Sequence, residues 1–314
     1  MANMEKQAES VSSIVSLKEA AAQQRARSLW QDAFAHVLRD RLTLGALIVL
    51  LIMTVTCVLG PPIIENALKI DVNSTNTKDA FLAPGASGHI LGTDYLGRDQ
   101  LIRLLYGGRV SLAIAYLSSV MIIAIGVTLG LLAGYYGGWV DDLIAWVVNT
   151  LSSIPPLFLF LVIAALWQPT VEWLIVILAL TGWIGTSRLV RGEVLTLKER
   201  DYVLAAQALG ASTTRLLLQH IFPNLMSIVI VTGTIIAGNL ILVESGLSYL
   251  GVGVQPPTPT WGNMLTDSRT YFVQGVHLVI WPGILILITV MCFYLVGDGL
   301  RDALDPHHSR HTKD

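Results

Sequence analysis

Few side chains in this sequence sit where they could do chemistry. The ionisable residues inside or beside its long apolar runs are Asp141, Asp142, Glu172, Glu193, Glu244 and Asp298. A carboxylate at a bilayer midpoint would mark a proton or ion relay, but these lie near the ends of their runs. Glu244, late in the fifth run, is the nearest to an exception; its alternative role is a hydrogen-bonded group that fixes the loop after it. His220 and His277 have no nucleophile and base at a recognisable spacing, which leaves a hydrolase built on Ser248 or His277 without a partner set. Cys57 and Cys292 fall inside apolar runs and read as packing residues, with no disulfide framework and no metal-ligand spacing. The phosphate loop GxxxxGK[ST], the Rossmann glycine fingerprint, HExxH and the GxSxG elbow are all missing. The chain reads as a conduit and not a catalyst, so any ATP that drives it is bound by another chain.

The elements that carry these residues follow from composition. Of 314 residues, 53% are hydrophobic and 13% charged, against roughly 25% charged in an ordinary soluble domain. Charge-free runs cover Leu42 to Ile64, Val110 to Val140, Leu143 to Val171, Leu216 to Val243 and Thr270 to Gly297, and a shorter one covers Trp173 to Ser187. With flanking apolar residues each reaches the ~20 residues needed to cross a bilayer core. The sequence therefore predicts an all-α membrane protein with six transmembrane helices, since no alternating barrel pattern is present.

Residues 1–41 are expected to be a cytoplasmic N-terminal segment, 42–300 the transmembrane domain and 301–314 a cytoplasmic tail. The first 28 residues are polar and alanine-rich and do not resemble a secretory signal, so the first run reads as a retained anchor. With both termini in the cytoplasm, only Lys69, Lys78, Arg98, Arg103, Arg109 and Arg269 of the 20 Lys and Arg residues fall outside, as the positive-inside rule requires. A net charge of -2 gives no nucleic-acid footprint; lipid is the expected surroundings. Two outer loops, 61–109 and 246–276, and one cytoplasmic segment, 191–220, join the spans.

The cytoplasmic segment contains DYVLAAQALGASTTRLLLQHIFPN, residues 201 to 224. It predicts a short helix capped by Asp201 and stopped at Gly210, a restart at Ser212 or Thr213, and a helix interrupted by Pro223. Ala205, Ala206 and Ala208 would let it dock closely into a soluble partner. In the first outer loop, Leu101, Leu104 and Leu105 recur at helical spacing opposite Arg98 and Asp99, as in an amphipathic interfacial helix. Pro155 and Pro156 should kink the third span and Pro282 the sixth, either as pathway lining or as bent packing helices. Gly126, Gly130 and Gly134 form a small-residue ridge suited to close contact with another span or subunit.

Four stretches together resemble one family, the inner-membrane permease subunits of ATP-binding-cassette importers for dipeptides and oligopeptides. They are HILGTDYLGRDQLIRLLYGGRVSL from His89, AAQALGASTTRLLLQHIFPN from Ala205, ESGLSYLGVGVQPPTPTWG from Glu244 and GDGLRDALDP from Gly297. ARSLWQDA, from Ala26, is most similar to the oligopeptide branch. The resemblance implies that residues 199 to 214 are a coupling helix, placed between the fourth and fifth spans, that docks on an ATPase subunit. Asp201, Ala205, Ala206, Gly210, Ser212 and Pro223 would carry it. Ala205, Ala206, Gly210 and Pro223 keep the permease pattern in register, whereas Leu204 stands where the family has glutamate, Phe222 replaces a leucine and Ile221 is one place late. The resemblance further implies a second homologous permease, two cytoplasmic ATPases holding the ATP and Mg, and an extracytoplasmic peptide-binding protein. Arg98, Asp99, Arg103, Glu244, Pro256, Pro257 and Trp261 would then belong to an outer face or gate, with the Pro-rich turn alternatively a rigid cap on the last two spans. Nickel chelates, glutathione or antimicrobial peptides are other cargoes for the same machine. An ion-coupled secondary transporter using Glu244 or Asp298 is disfavoured by the scarcity of midplane charge and the lack of an evident inverted repeat.

Overall fold

The computed structural model describes residues 29–68, 72–166 and 170–304. The segment 1–28, including Ala26 to Ser28 of ARSLWQDA, lies outside the described residues, as do Lys69, Asp305, Pro306 and the rest of the tail. Among the described residues the chain is helical, with short 3₁₀ turns and no strand.

Helices α1 (Leu29–Arg39) and α2 (Arg41–Leu68) meet at Asp40. Its carboxylate accepts the Thr43 hydroxyl and the Leu42 and Thr43 amides, and these bonds hold it below the usual carboxylate range. Helix α3 (Gln100–Tyr136) has 37 residues, about 55 Å at 1.5 Å per residue, well beyond a bilayer core of roughly 30 Å. The amphipathic outer helix expected around Leu101, Leu104 and Leu105 is thus not a separate element. It is the start of α3, because Asp99 caps the helix by accepting the Ile102 amide and the helix runs on through Gly107 and Gly108.

The third span departs from a kinked helix. It is broken into α4 (Gly138–Ser152) and α5 (Pro156–Leu166), bent by 78°. Pro155 and Pro156 have no N–H to bond back into α4, and a residue before proline avoids the α region, so two prolines in a row end the helix. Pro282 by contrast stays inside its helix.

Helix α6 (Val171–Leu197) runs parallel to α3 and takes up the glycine ridge. A Cβ on Gly126 would lie 2.6 Å from Thr186, one on Gly130 2.7 Å from Val190, and one on Gly134 2.7 Å from Val194. The ridge therefore serves contact within the chain. Helix α7 (Asp201–Ala208) follows, then a turn at Thr213–Arg215, a π-turn at Leu216–Ile221 and α8 (Phe222–Tyr249). Last come α9 (Trp261–Thr270) and α10 (His277–Leu304). Five helices are long and apolar enough to span, or six if the bent pair counts as one.

Pro223 does not interrupt the helix. It lies in the first turn of α8, directly after the π-turn, where the Phe222 amide reaches Leu217 O. The wider turn absorbs the missing N–H, and Asn224 Nδ2 donates to His220 O at 2.6 Å. The core joins Ile114, Leu178, Ile241 and Phe293 from α3, α6, α8 and α10, and Cys57 and Cys292 pack within it. A smaller cluster at the α7 end holds Val190, Val194, Ile221 and Leu225.

Candidate functional site

The parallel α3 and α6 put the two loops expected outside at one end of the bundle and the α6–α8 connection at the other. At the loop end, a buried carboxylate, Asp94, organises the first loop. Its oxygens accept the Leu96 amide at 2.9 Å, the Arg98 amide at 3.0 Å and Arg98 Nε at 2.6 Å, and Arg103 Nε lies 3.5 Å away. Gly97, at φ 72°, makes this reversal possible, since a Cβ there would run into the Asn76 backbone. Asp99 uses one oxygen to cap α3 and the other to meet His89 Nδ1 at 2.7 Å.

The second loop packs directly on the first. Tyr271 stacks on Tyr95 with ring centroids 4.9 Å apart and tilts against Phe81 at 5.3 Å. His277 Nε2 lies 3.2 Å from Thr93 O. Beneath them Trp261 is fully buried at the start of α9, with its indole N–H donating to Leu104 O at 2.9 Å and its amide to Ser111 Oγ at 3.2 Å. Gly107 and Gly108 make the seat for this ring, since a Cβ on Gly108 would lie 2.6 Å from Trp261 Cζ2. Ser111 in turn donates to Glu244 Oε2 at 3.2 Å, and Ser248 donates to Oε1 at 2.8 Å. Glu244 has no exposed surface and ties α3, α8 and the start of α9 together.

Of the expected outer residues, then, Arg98, Arg103, Glu244 and Trp261 are buried and Asp99 is half-buried, whereas Pro256 and Pro257 are exposed. Asp94, Gly107, Gly108 and Ser111 belong to the same network and are not singled out by the sequence, and Ser248, named there only as a hydrolase nucleophile, belongs to it as a donor to Glu244. The signal for them was present in the GTDYLGRDQ, YGGRVSL and ESGLS runs, but nothing local says that these runs meet.

At the other end, α6 is pinned to its neighbours. Arg191 forms a bidentate pair with Asp141 at 2.6 Å for both bonds, Arg188 donates to Ser152 Oγ at 3.0 Å, and Lys198 Nζ donates to Gly134 O at 3.0 Å, closing the end of α3. Helix α7 is held quite differently. Only Val203 is buried, while Tyr202, Leu204, Ala205 and Leu209 are exposed, Leu209 to 89%. Partial burial pushes the Tyr202 hydroxyl above its ordinary range. Asp201 is the first residue of the helix and not its cap; Arg200 holds the cap position, and Asp201 instead sets a negative charge against the helix N-terminus. Gly210 has φ 81°, with its amide on Gln207 O and the Ala211 amide on Ala206 O, the expected left-handed stop. Ser212 starts the next turn by accepting the Arg215 amide at 3.4 Å.

Helix α7 thus forms an exposed shelf at one end of a bundle of apolar spans, and comparison with known proteins gives the class of this bundle. Residues 126–310 match the family of binding-protein-dependent transport system inner membrane components, and residues 28–84 match the N-terminal TM domain of oligopeptide transport permease C. A dipeptide transport system permease protein of Alkalihalophilus pseudofirmus is 35% identical over 284 residues, covering 90% of this chain and 92% of the relative. An oligopeptide transport system permease protein of Bacillus subtilis is 37% identical over 279 residues, covering 89% and 90%. A glutathione transport system permease protein of Pectobacterium atrosepticum is 36% identical over 281 residues, covering 89% and 92%. In fold, the chain is similar to an inward-facing MetNI methionine ABC transporter chain, with a TM-score of 0.54 at 19% identity over 65% of this chain and 97% of that one. The chain belongs to the binding-protein-dependent transport system inner membrane component family: it is a multi-pass inner-membrane permease subunit of an ABC importer.

Proposed function

We propose that the cargo is a dipeptide or oligopeptide, and that the chain forms half of a pathway completed by a second, homologous permease. Two cytoplasmic ATPases holding ATP and Mg drive it, and an extracytoplasmic peptide-binding protein delivers the cargo to the face formed by loops 61–109 and 246–276. Both termini then lie in the cytoplasm, with 42–300 as the membrane domain, and α7 is the coupling element, carried by Asp201, Ala205, Ala206, Gly210, Ser212 and Pro223. ATP binding closes the ATPases and moves this element, biasing a two-state membrane arrangement.

The observation that carries this reading is the surface of α7. Leu209 is an apolar side chain exposed to 89%, on the same short segment as the exposed Tyr202 and Leu204, and Lys198, Arg200 and Arg215 flank that segment in the chain, a charge density that suits water and not lipid. A soluble protein of apolar docking character suits it. The relatives named for dipeptide and oligopeptide transport support the cargo.

Gly210→Trp in the assembled complex tests the coupling role. No heavy atom lies within 4 Å of a Cβ placed there; at φ 81° the side chain strains the exposed turn, a local change that should leave insertion of the spans normal. Binding-protein-stimulated ATPase and peptide uptake should fall together by tenfold or more. Retention of both at wild-type level would remove α7 from the coupling role.

A further inference from the structure

The α7-side halves of α6, α8 and α10 diverge around a cleft of about 580 Å³ lined by Glu193, Ser227, Thr232 and Arg301 on apolar walls that include Leu189 and Val231. That volume falls in the range of small-molecule sites. Among the described residues the polar groups in it are unengaged. Several hydroxyls elsewhere in the spans donate to the carbonyl four residues back, as Thr181 does to Ile177, Thr234 to Ile230 and Thr289 to Leu285. Ser227 and Thr232 make no such bond, and among the described residues neither Glu193 nor Arg301 has an ion-pair partner.

Helix register places Arg301, exposed in the last turn of α10, against the α8 wall of the cleft at its mouth. Gly238 faces Phe293 and Gly297 faces Ile235, so α8 and α10 are antiparallel, and Arg301, one turn beyond Gly297, is level with Val231, one turn before Ile235. A carboxylate and a guanidinium on the walls of one apolar cleft, with two hydroxyls between apolar neighbours, offer a polar solute both signs of charge. The polar set extends from Ser227 to Thr232, about 7.5 Å along the helix, which an extended chain of two to three residues covers at roughly 3.3–3.6 Å each. A phospholipid would concentrate its polar atoms in a single headgroup layer.

We propose that this cleft is a cargo subsite in the inner half of the pathway, holding a short zwitterionic peptide with its C-terminal carboxylate on Arg301 and its N-terminal ammonium on Glu193. Ser227 and Thr232 face the peptide backbone. The assignment rests on the peptide-importer reading above.

The test uses the assembled complex in nanodiscs without the binding protein, titrated with a fluorescent-side-chain tripeptide carrying free, N-acetylated or C-amidated termini. Wild type should bind the free peptide at least tenfold tighter than either blocked form. Arg301→Gln should abolish the preference over the amide, Arg301→Lys should keep most of it, and Glu193→Gln should abolish the preference over the acetylated form. Preferences that persist in Arg301→Gln and Glu193→Gln, or none in wild type, would overturn the subsite. The same overturning result, with a phosphatidylethanolamine seen on wild type but not on Arg301→Gln by native mass spectrometry, would make the cleft a lipid site. Peptide uptake by the wild-type complex with its binding protein is measured separately. If that uptake is zero, the cargo reading falls and the subsite with it; if it is normal, a negative titration counts against the subsite alone.

Discussion

The two ends of this bundle use polar and apolar residues in opposite ways. At the loop end, the outer end in the proposed orientation, charged and polar groups are buried: Asp94, Arg98, Arg103 and Glu244 hold two loops and three helices against one another. At the α7 end, apolar groups are exposed, and a single buried side chain, Val203, anchors the shelf. A densely bonded region changes shape only by breaking many contacts at once, whereas a lightly anchored helix with an uncovered apolar surface is free to gain contacts from another protein, as the proposed coupling role requires. Sequence motifs at the outer end thus encode structure, and the motif at the α7 end encodes a surface.

Substitutions should separate these roles, with stability lost at the outer end and coupling lost at the other. The largest effect belongs to Gly108→Val. Its side chain has to enter space held by Trp261 and Cys57, and overpacking of this kind costs typically 1–3 kcal/mol or more. Thermal unfolding of the purified complex in detergent should shift downward by several degrees, with little folded permease recovered. Next comes Glu244→Leu, which leaves the Ser111 and Ser248 hydroxyls without their acceptor at about 1–3 kcal/mol for the buried groups. Glu244→Gln keeps one acceptor oxygen and should recover part of the loss in the same measurement. Were both variants as stable as wild type, the outer network would not be the fastening described.

Leu209→Asp should behave in the reverse manner. A side chain exposed to 89% contributes little to folding, so stability should stay within about 0.5 kcal/mol, the usual range for surface changes. Stimulated ATPase activity should fall severalfold, because a charge would enter an apolar contact. A stability loss equal to that of Glu244→Leu would mean that α7 is fastened within this chain and is not a docking shelf.

How much of this was legible in the sequence follows from the range of each interaction. Spans are set by runs of apolar residues and were readable, as were the Gly210 stop and the close-contact ridge at Gly126, Gly130 and Gly134, all of which depend on neighbours a few residues away. The break at Pro155 and Pro156 was visible as proline but not as a 78° bend. Pro223 misled because a π-turn, which no local pattern announces, takes up its missing N–H. The outer network was illegible for a different reason: Ser111 meets Glu244 across 133 residues and His277 meets Thr93 across 184, and residue type alone does not report such pairings. Buried Arg98 and Arg103 accordingly read as surface charge until Asp94 was seen between them.

Leu204 gives the smallest and sharpest contrast. The resemblance places a glutamate there, yet this side chain is a leucine, 48% exposed on α7. Leu204→Glu adds a carboxylate one turn into a short helix that already begins with Asp201, so helix formation should change by only a few tenths of a kcal/mol. If the partner ATPase presents a cation at this point, the variant should couple as well as wild type or better, with a salt dependence that wild type lacks. If the partner groove has adapted to leucine, stimulated ATPase activity should drop two- to fivefold at unchanged permease stability. Measuring stimulation at low and high salt distinguishes the two, and a change in unfolding temperature in place of either would place Leu204 in the fold of the shelf and not on its docking surface.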